Sequence, residues 1–413
     1  MSEGAARVET EAAAPAAPPS TAEAGSSPSP APAPAPARAA RAAPRVADCV
    51  QAAAWTPPAP PDPATQAADL EACRLAIRHG SRSFHAASRL LPKSVREPAL
   101  ALYAFCRSAD DAVDEEADEG AAKARAVARL RARLDAVYAG APMDHPADRA
   151  MAAIVARFEM PRALPEALIE GFEWDAEGRT YETLAELHAY GARVAGAVGA
   201  MMTVLMGVRD RDALARACDM GNAMQLTNIA RDVGEDARAG RLFLPKAWLR
   251  EAGVDPDAFL ADPVFSPALG EVVERLLTEA DRLYGRARGG VSALPPACRP
   301  AIHAAGRIYG EIGAAVRANG GDSVSVRART TGRRKLALAG KALSDAAWSL
   351  APGMPRGLKG APLPQTAFLV EAAARERPSP LKAMSKAERD ISAFVAILAE
   401  LEARDRAGRD AAG

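Results

Sequence analysis

The chain has 413 residues, 49% of them hydrophobic and 5% aromatic, and its 52 acidic side chains balance its 52 lysines and arginines. Zero net charge provides no general attraction to nucleic acid or to an anionic membrane. The five cysteines form no CxxC pair, which argues against a zinc site or a disulfide framework. No apolar run approaches the roughly 18 to 20 residues of a membrane-spanning helix, and the N-terminus lacks a secretory layout, so we expect a soluble, cytoplasmic protein.

Residues 1–65 form an Ala/Pro-rich leader that includes the run SPSPAPAPAPARAARAAP. Such a segment buries too little apolar surface to offset the entropy lost on ordering. We therefore expect a disordered or polyproline-like leader that is dispensable for the function of the rest of the chain.

The next part of the chain predicts an all-helical domain over residues 66–350. Leu70, Cys73 and Ile77 have helical spacing, and Gly80 is a plausible end to that first helix. The composition, rich in Ala, Leu, Arg and Glu, favours helix over strand, and we find no alternation of period two. Further helices are predicted over 94–117, 121–138, 148–158, 165–173, 183–208, 210–239, 267–289 and 296–319.

Residues 351–413 are predicted to be a linker, APGMPRGLKGAPLP, and a C-terminal amphipathic helix. Ser385 and Glu388 would form a capping box at the start of that helix. Its apolar stripe consists of Ile391, Phe394, Leu398 and Leu401. We expect this stripe to pack on the main domain or on a second copy, and membrane contact is the alternative.

A first acidic motif occurs in YAFCRSADDAVDEEADE, residues 103–119. Asp110 and Asp114 are four residues apart and share a helix face, whereas Asp111 lies about 100° away. Taken alone, the motif is best interpreted as a solvated acidic surface. Tyr103 and Cys106, however, continue the stripe of Asp110 toward an apolar segment, so this helix would enter the acidic patch from a buried face.

A second acidic motif is more difficult to interpret as surface. Asn228, Asp232 and Asp236 follow one another at four-residue spacing, and Gln225 joins the same face. The helix around them is apolar on several sides, which is typical of an interior helix. Gly234 weakens that helix by about 1 kcal/mol relative to Ala. Each polar residue could bond a neighbouring helix, but two DxxxD pairs would then be a coincidence.

The two motifs are explained together if two helices present carboxylates to each other across a cavity that binds Mg²⁺ or Mn²⁺. Mg²⁺ takes few carboxylates and completes its shell with substrate phosphate oxygens, so a phosphorylated substrate is implied. Nearby arginines could contact those oxygens, although each alone is more simply a surface ion pair: Arg107, Arg231, Arg238 and Arg241. Ser81, Arg82 and Ser83 at a helix junction are compatible with an anion site or with ordinary capping.

These segments resemble the squalene/phytoene synthase family, and the bacterial phytoene synthases in particular. GSRSF, YAFCRSADDAVD, YGARVAGAVGAMM and QLTNIARDVGEDARAGRLFLP occur in that order, and the resemblance covers roughly residues 70–345. It implies an isoprenoid-synthase helical bundle with a central cavity. It also implies that Asp110, Asp114, Asn228, Asp232 and Asp236 bind Mg²⁺ at the substrate diphosphates.

The resemblance implies further site residues. Tyr190 and Tyr309 match catalytic cavity positions, and Phe243 stands where a Tyr is frequent, so no hydroxyl role is assigned there. The expected substrate-binding residues are Ser81, Arg82, Ser83, Tyr103, Arg107, Gln225, Asn228, Arg231 and Arg241. An apolar lining would keep water from an allylic cation, and its candidates are Val194, Ala195, Val198, Leu226 and Ile229.

The implied reaction is head-to-head condensation of two geranylgeranyl diphosphates, through a cyclopropylcarbinyl diphosphate, to phytoene in carotenoid biosynthesis. No NADPH is expected. The implied partners are the prenyl diphosphates, the inner face of the membrane through peripheral contact, and a phytoene desaturase that receives the product. Two alternatives remain: squalene or dehydrosqualene synthesis from farnesyl diphosphate, and a non-catalytic helical scaffold of the same fold.

Overall fold

The computed structural model describes residues 62–80, 87–114, 121–348 and 360–374. Throughout these ranges the regular structure is helical and no strand occurs, which confirms the expected all-α class. Residues 1–61 of the expected leader lie outside the described residues. The last residues of the expected leader belong instead to the first helix, which begins at Pro63. No helix in the described ranges is both long and apolar enough to cross a membrane.

The helices are numbered here in chain order. They are α1 Pro63–Gly80, α2 Lys93–Asp114, α3 Ala121–Tyr138, α4 Pro146–Phe158, α5 Ala163–Ala176, α6 Leu184–Gly191, α7 Ala197–Leu205, α8 Arg211–Arg238, α9 Lys246–Glu251, α10 Pro256–Ala261, α11 Pro267–Gly290, α12 Arg299–Ala318, α13 Gly332–Trp348 and α14 Ala367–Ala373. A π-helical segment, Ala192–Gly196, joins α6 to α7. Short 3-10 turns occupy Val291–Ala293, Pro296–Cys298 and Pro364–Thr366.

The long helices agree with the periodicity of the sequence, and four other helices were not predicted. The helix predicted over 121–138 has those same bounds, whereas the one predicted over 183–208 is interrupted by the π segment. The helices α9, α10 and α14 span only six or seven residues, too few for a 3.6-residue period to show. The basic helix α13 was not predicted either.

Helix α8 runs through the centre of the domain. Its 28 residues span about 42 Å, and it packs against α7, α11, α12 and the π segment. Asp210 caps its start, because the side chain accepts a hydrogen bond from the backbone N–H of Ala213 at 2.9 Å. Most of its length is buried, as expected for an interior helix, whereas Gln225, Asn228, Asp232 and Asp236 of the second acidic motif are only half-buried.

Glycines allow the π segment and α7 to approach α8 backbone against backbone. A Cβ atom on Gly199 would collide with the carbonyl oxygen of Ala217, and one on Gly221 would collide with that of Ala195. Real Cβ atoms essentially never approach that closely, so both positions require glycine. The two layers therefore touch without intervening side chains over this stretch.

The C-terminal strap, residues 360–374, packs onto the helical domain. Thr366, Leu369, Val370 and Ala373 in the strap are completely buried. Arg209 donates a 3.2 Å hydrogen bond to the carbonyl oxygen of Ala373. Only residues 360–364 of the strap belong to the predicted linker, and the packing of the strap was not anticipated from the sequence. The C-terminal amphipathic helix predicted over 385–407 lies outside the described residues, and the division of the chain at 65 and 350 stays a prediction.

Candidate active site

A cavity of about 490 Å³ lies between the helices. Its walls come from α2, α5, α6, the π segment, α7, α8 and α12, with residues from the end of α11. This volume is within the range that is typical of small-molecule sites. The central cavity expected for the fold is therefore present.

The cavity is polar at one end and apolar over most of its length. On α8 the lining changes from Asn228 and Gln225 to Met220, Ala217 and Ala213. Helices α2, α5 and α12 also contribute polar residues to this end of the cavity and apolar residues to the rest of its lining. The polar end, as used below, consists of Tyr103, Arg107, Asp175, Tyr190, Gln225, Asn228 and Tyr309. The far end consists of Met206, Ala213, Arg216 and Leu294.

The distance along α8 indicates the shape of this cavity. Ala213 and Asn228 are 15 positions apart on one helix (228 − 213), which corresponds to about 22 Å of rise. A long apolar chain with a charged head group matches both the length and the polarity gradient. Val194, Ala195 and Val198 line the middle of the cavity, as expected from the sequence.

Tyr190 stands at the polar end and is fixed by its neighbours. Its hydroxyl donates a 3.0 Å hydrogen bond to Oδ2 of Asp175. Its ring stacks on that of Phe243, with centroids 5.3 Å apart, and lies 5.2 Å from that of Tyr181. Burial, followed by the nearby Asp175 carboxylate, raises the pKa of Tyr190 well above its ordinary value. Tyr190 therefore remains a hydrogen-bond donor, and Phe243 contributes a packed ring without a hydroxyl.

The aspartates of the second motif continue from the polar end along α8. Asp232 is in contact with two guanidinium groups: Nε of Arg231 at 2.7 Å and Nε of Arg327 at 2.9 Å from its Oδ1. Asp236 is farther from its cation, since Nη2 of Arg241 lies 3.8 Å from Oδ1. Both carboxylates thus lie in a positively charged environment.

The negative charge of Asp236 is less well balanced by nearby cations than that of Asp232. Burial raises the pKa of Asp236 to about 7, Arg241 opposes that rise, and the carboxylates of Asp232 and Glu235 add to it. A buried carboxylate beside two others is expected to gain from an additional cation. This environment agrees with the interpretation that the motif binds a metal ion.

The loop between α12 and α13 crosses α8 at Gly234. The N–H of Gly234 donates a 3.0 Å hydrogen bond to the carbonyl oxygen of Ser323, and a Cβ atom there would lie 2.5 Å from the carbonyl oxygen of Val324. Arg238 donates to that same Val324 oxygen at 2.6 Å. Gly234 is therefore required for close packing. The guanidinium of Arg238 binds the loop backbone in this structure, and its contact with phosphate stays a prediction.

The donor set on α8 fits a hard divalent cation. Asn228, Asp232 and Asp236 offer amide and carboxylate oxygens at four-residue intervals, and oxygen ligands are those that Mg²⁺ and Mn²⁺ prefer. Among the side chains that the structure describes, no three His, Cys, Asp or Glu residues form a ready-made metal cluster. Asp110 and Asp114 lie on α2, but the described side chains do not include theirs.

Several expected site residues are not at the cavity surface or are outside the description. Ser81, Arg82 and Ser83 lie outside the described residues. Leu226 and Ile229 were expected to line the cavity, but both are buried on another face of α8, in a hydrophobic core that includes residues of α11. The lining positions of α8 follow the spacing 217, 220, 221, 224, 225 and 228, which leaves 226 and 229 turned away.

The sequence analysis missed three charged residues near the cavity. Asp175 and Arg216 line it, and Arg327 binds Asp232 from the loop after α12. Asp175 and Arg216 belong to helices in which charged residues are common, so no local pattern distinguished them. The basic run RARTTGRRK contained Arg327, but its approach to α8 depends on the tertiary packing at Gly234.

Comparison with known proteins identifies the family of this chain. The model of the family described as squalene/phytoene synthase matches residues 77–336. The phytoene synthase of Rhodobacter capsulatus is 58% identical over 340 residues, covering 82% of this chain and 97% of that protein. The phytoene synthase of Cereibacter sphaeroides is 56% identical over 346 residues, covering 82% and 95%. The chain belongs to the squalene/phytoene synthase family.

Solved structures show the same fold. A dehydrosqualene synthase in complex with ligand superposes with a TM-score of 0.62 at 31% identity, covering 68% of this chain and 96% of that one. Squalene synthase HpnC from Alicyclobacillus acidocaldarius superposes with a TM-score of 0.58 at 26% identity, covering 62% and 96%. The expected isoprenoid-synthase helical bundle is confirmed.

Proposed function

We propose that this chain is a prenyl transferase that joins two geranylgeranyl diphosphates head to head to form phytoene in carotenoid biosynthesis. The observation that carries this proposal is the long cavity that extends about 22 Å along α8, from polar residues at Asn228 and Gln225 to a mostly apolar lining that reaches Ala213. The identities of 58% and 56% to phytoene synthases support the same activity. In the overall reaction both C–O bonds to diphosphate break, a C=C double bond forms between the two carbons that carried the diphosphates, and two protons are lost.

The polar end would hold the diphosphates. Asn228, Asp232 and Asp236 would bind Mg²⁺, together with Asp110 and Asp114 of α2. Bound Mg²⁺ supplies positive charge where the leaving diphosphate becomes more negative. Arg107, Arg231 and Arg241 would neutralise the remaining phosphate oxygens, with Ser81, Arg82 and Ser83 as further binding residues.

The apolar part of the cavity would protect the allylic cation that remains after diphosphate leaves. Val194, Ala195 and Val198 offer no nucleophile, and they exclude water from the chain. Tyr190 and Tyr309 stand where the apolar lining meets the polar end, together with Gln225. Their oxygens would face the reacting carbons and orient the intermediate without charged bases beside it.

The lipid substrate and product suggest where this protein acts. We propose peripheral contact with the inner face of the membrane and transfer of the product to a desaturase, because phytoene is a hydrocarbon with no affinity for water. A leader over 1–65, a synthase domain over 66–350 and a C-terminal region over 351–413 remain the proposed domain division.

Condensation of farnesyl diphosphate is the second candidate. It is favoured by the 31% identical dehydrosqualene synthase structure, which shares the fold. That reaction would use the same aspartates, so the two candidates differ in the length of the prenyl chain and in the last step.

A product assay tests the proposal. Purified protein is incubated with geranylgeranyl or farnesyl diphosphate, with Mg²⁺ or EDTA, and with or without NADPH. We expect a C40 triene product from geranylgeranyl diphosphate. Its formation should require Mg²⁺ but not NADPH. A C30 product from farnesyl diphosphate alone would support the second candidate, and no product from a folded protein would favour a non-catalytic scaffold.

A further inference from the structure

A buried ionic cluster fastens the C-terminal strap to the far end of the cavity. Arg216 on α8 and Arg286 on α11 both donate to Oδ2 of Asp219, at 2.7 and 2.9 Å. Both arginines also donate to the carbonyl oxygen of Ala361 in the strap, at 3.2 and 2.9 Å. Arg216 is 4% exposed and Asp219 is completely buried. Burying these charges costs free energy, and the ion pair and hydrogen bonds within the cluster offset that cost.

Arg216 is the member of this cluster that lines the cavity. Its stem lies between α8 and α11, where a Cβ atom on Gly290 would come within 2.6 Å of its Cγ. Its guanidinium group is engaged by Asp219 and by the strap, where a Cβ on Gly360 would lie 3.2 Å from Nη1. With the charge held there, the aliphatic stem is the surface that Arg216 offers to an apolar ligand.

The strap also supports the middle of the cavity from outside. A Cβ atom on Gly196, in the π segment, would meet Leu369 at 3.5 Å and Thr366 at 3.6 Å. The strap thus rests on the wall whose other side carries Val194 and Ala195 at the cavity. It also lies beyond residues 77–336, the part of the chain that matches the family model.

The depth of Arg216 connects this cluster to the length of the substrate. Arg216 is 12 positions from Asn228 on α8 (228 − 216), or about 18 Å from the polar end. We propose that Arg216, held by Asp219, Arg286 and the strap, is a specificity-determining residue that supports the last isoprene unit of a C20 chain. A C15 chain bound at the same diphosphate site ends before this level. This inference rests on the proposed function and adds a determinant of chain length to it.

Three full-length variants test this inference. Arg216→Met removes the guanidinium group but leaves Asp219 paired with Arg286. Arg286→Met loosens the strap at a partly exposed position that does not line the cavity. Arg282→Met is the matched control, because it lies one turn earlier on α11 and pairs with Glu279 instead. Geranylgeranyl and farnesyl diphosphates are supplied together, and the C40 and C30 products are quantified.

For Arg216→Met we expect kcat/KM for the C20 substrate to fall about tenfold, because Met has no guanidinium group through which Asp219 and the strap could hold its side chain against the last isoprene unit. The value for the C15 substrate should stay within about twofold of the wild type, since the shorter chain does not contact this residue. Arg286→Met should lower the C40 to C30 ratio in the same direction, by about threefold. Arg282→Met should leave the ratio unchanged.

An unchanged product ratio in Arg216→Met, or an equal loss on both substrates, would overturn the inference, because a purely structural role affects both chains alike. If Arg216→Met does not fold, an unchanged ratio in the folded Arg286→Met protein overturns it instead. The proposed function fails separately, when the wild-type protein makes no C40 product at all.

Discussion

The hydroxyl of Tyr190 donates a 3.0 Å hydrogen bond to Oδ2 of Asp175, and both side chains line the polar end of the cavity. The residues come from different helices, α6 and α5, so the bond also ties two walls together. Because the raised pKa of Tyr190 keeps the proton on its hydroxyl, Asp175 accepts a hydrogen bond from it, and the lone pairs of the tyrosine oxygen remain available to the cavity.

A double-mutant cycle should detect this coupling. Tyr190→Phe and Asp175→Asn should each lower kcat/KM, and the double variant should lose less than the sum of the single losses. We expect a coupling free energy of about 1 kcal/mol for two groups in direct contact. Steady-state kinetics of the four proteins give the cycle, and additive losses would show that Asp175 does not act through Tyr190.

Asp232→Ala should abolish turnover without unfolding the protein. The loss should be at least about a hundredfold in kcat. The Mg²⁺ that would stabilise the leaving diphosphate loses one of its carboxylate ligands in this variant. Asp212→Ala is the control, since Asp212 lies in the first turn of the same helix, far from the site. Circular dichroism and thermal melting should show a folded protein, and full activity in the Asp232 variant would exclude the metal-site interpretation.

Gly234→Ala should destabilise the protein, although alanine is normally the better helix former. The new Cβ would meet the backbone of Val324 at 2.5 Å, which costs about 1–3 kcal/mol when neither backbone can move freely. Gly340→Ala on α13 is the matched control, because no atom of the described residues lies within 4 Å of its Cβ position. The control should gain roughly 0.5–1 kcal/mol in the free energy of unfolding. Denaturant titration measures both changes, and equal effects would contradict the packing at Gly234.

Glu279 should make part of the stability pH-dependent. Burial raises the pKa of Glu279, but hydrogen bonds from Arg282 and His188 outweigh that effect and lower it to about 2, from an ordinary value of 4.5. A carboxyl with a lowered folded-state pKa stabilises the fold above its unfolded-state pKa and loses that contribution as the pH falls toward 2. Glu279→Gln should therefore lose about 2 kcal/mol at pH 7. This difference from wild type should shrink steadily below about pH 4.5.

Thermal melting of both proteins between pH 7 and pH 3 measures this dependence. His188 hydrogen-bonds to Glu279, and the distance between Nε2 of His188 and Oε1 of Glu279 is 2.9 Å. A stability difference that is constant over this range would contradict the assigned ionisation of Glu279.

Much of the fold, and the α8 part of the proposed metal site, follow from local sequence patterns. Helical periodicity identified α8, and the four-residue spacing of Asn228, Asp232 and Asp236 placed them on one face of it. Periodicity did not identify which face of α8 meets the cavity, so Leu226 and Ile229 were placed on the wrong side. Apolar residues occur on several faces of an interior helix, and only its packing partners distinguish the cavity from the core.

Residues whose roles depend on distant partners were not accessible from the sequence. Arg327 contacts Asp232 across 95 positions of the chain (327 − 232), and Arg216 reaches Ala361 across 145. Arginines are frequent throughout this sequence, so their type alone indicates little. The strap was equally difficult to foresee, because a short helix after a Pro/Gly-rich run has the composition of a linker.

The contacts of Gly199 with Ala217 and of Gly221 with Ala195 also bear on how such enzymes diverge. At these positions the backbone of the π segment and α7 contacts the backbone of α8 directly. Substituting the glycines would therefore separate the helices rather than change the size of the cavity. New product lengths must then arise through substitutions elsewhere, on surfaces where side chains stand between the layers. Leu168 on α5, Leu102 on α2 and Ile308 on α12 are such positions. Variation among relatives should concentrate there, while the glycine wall stays constant.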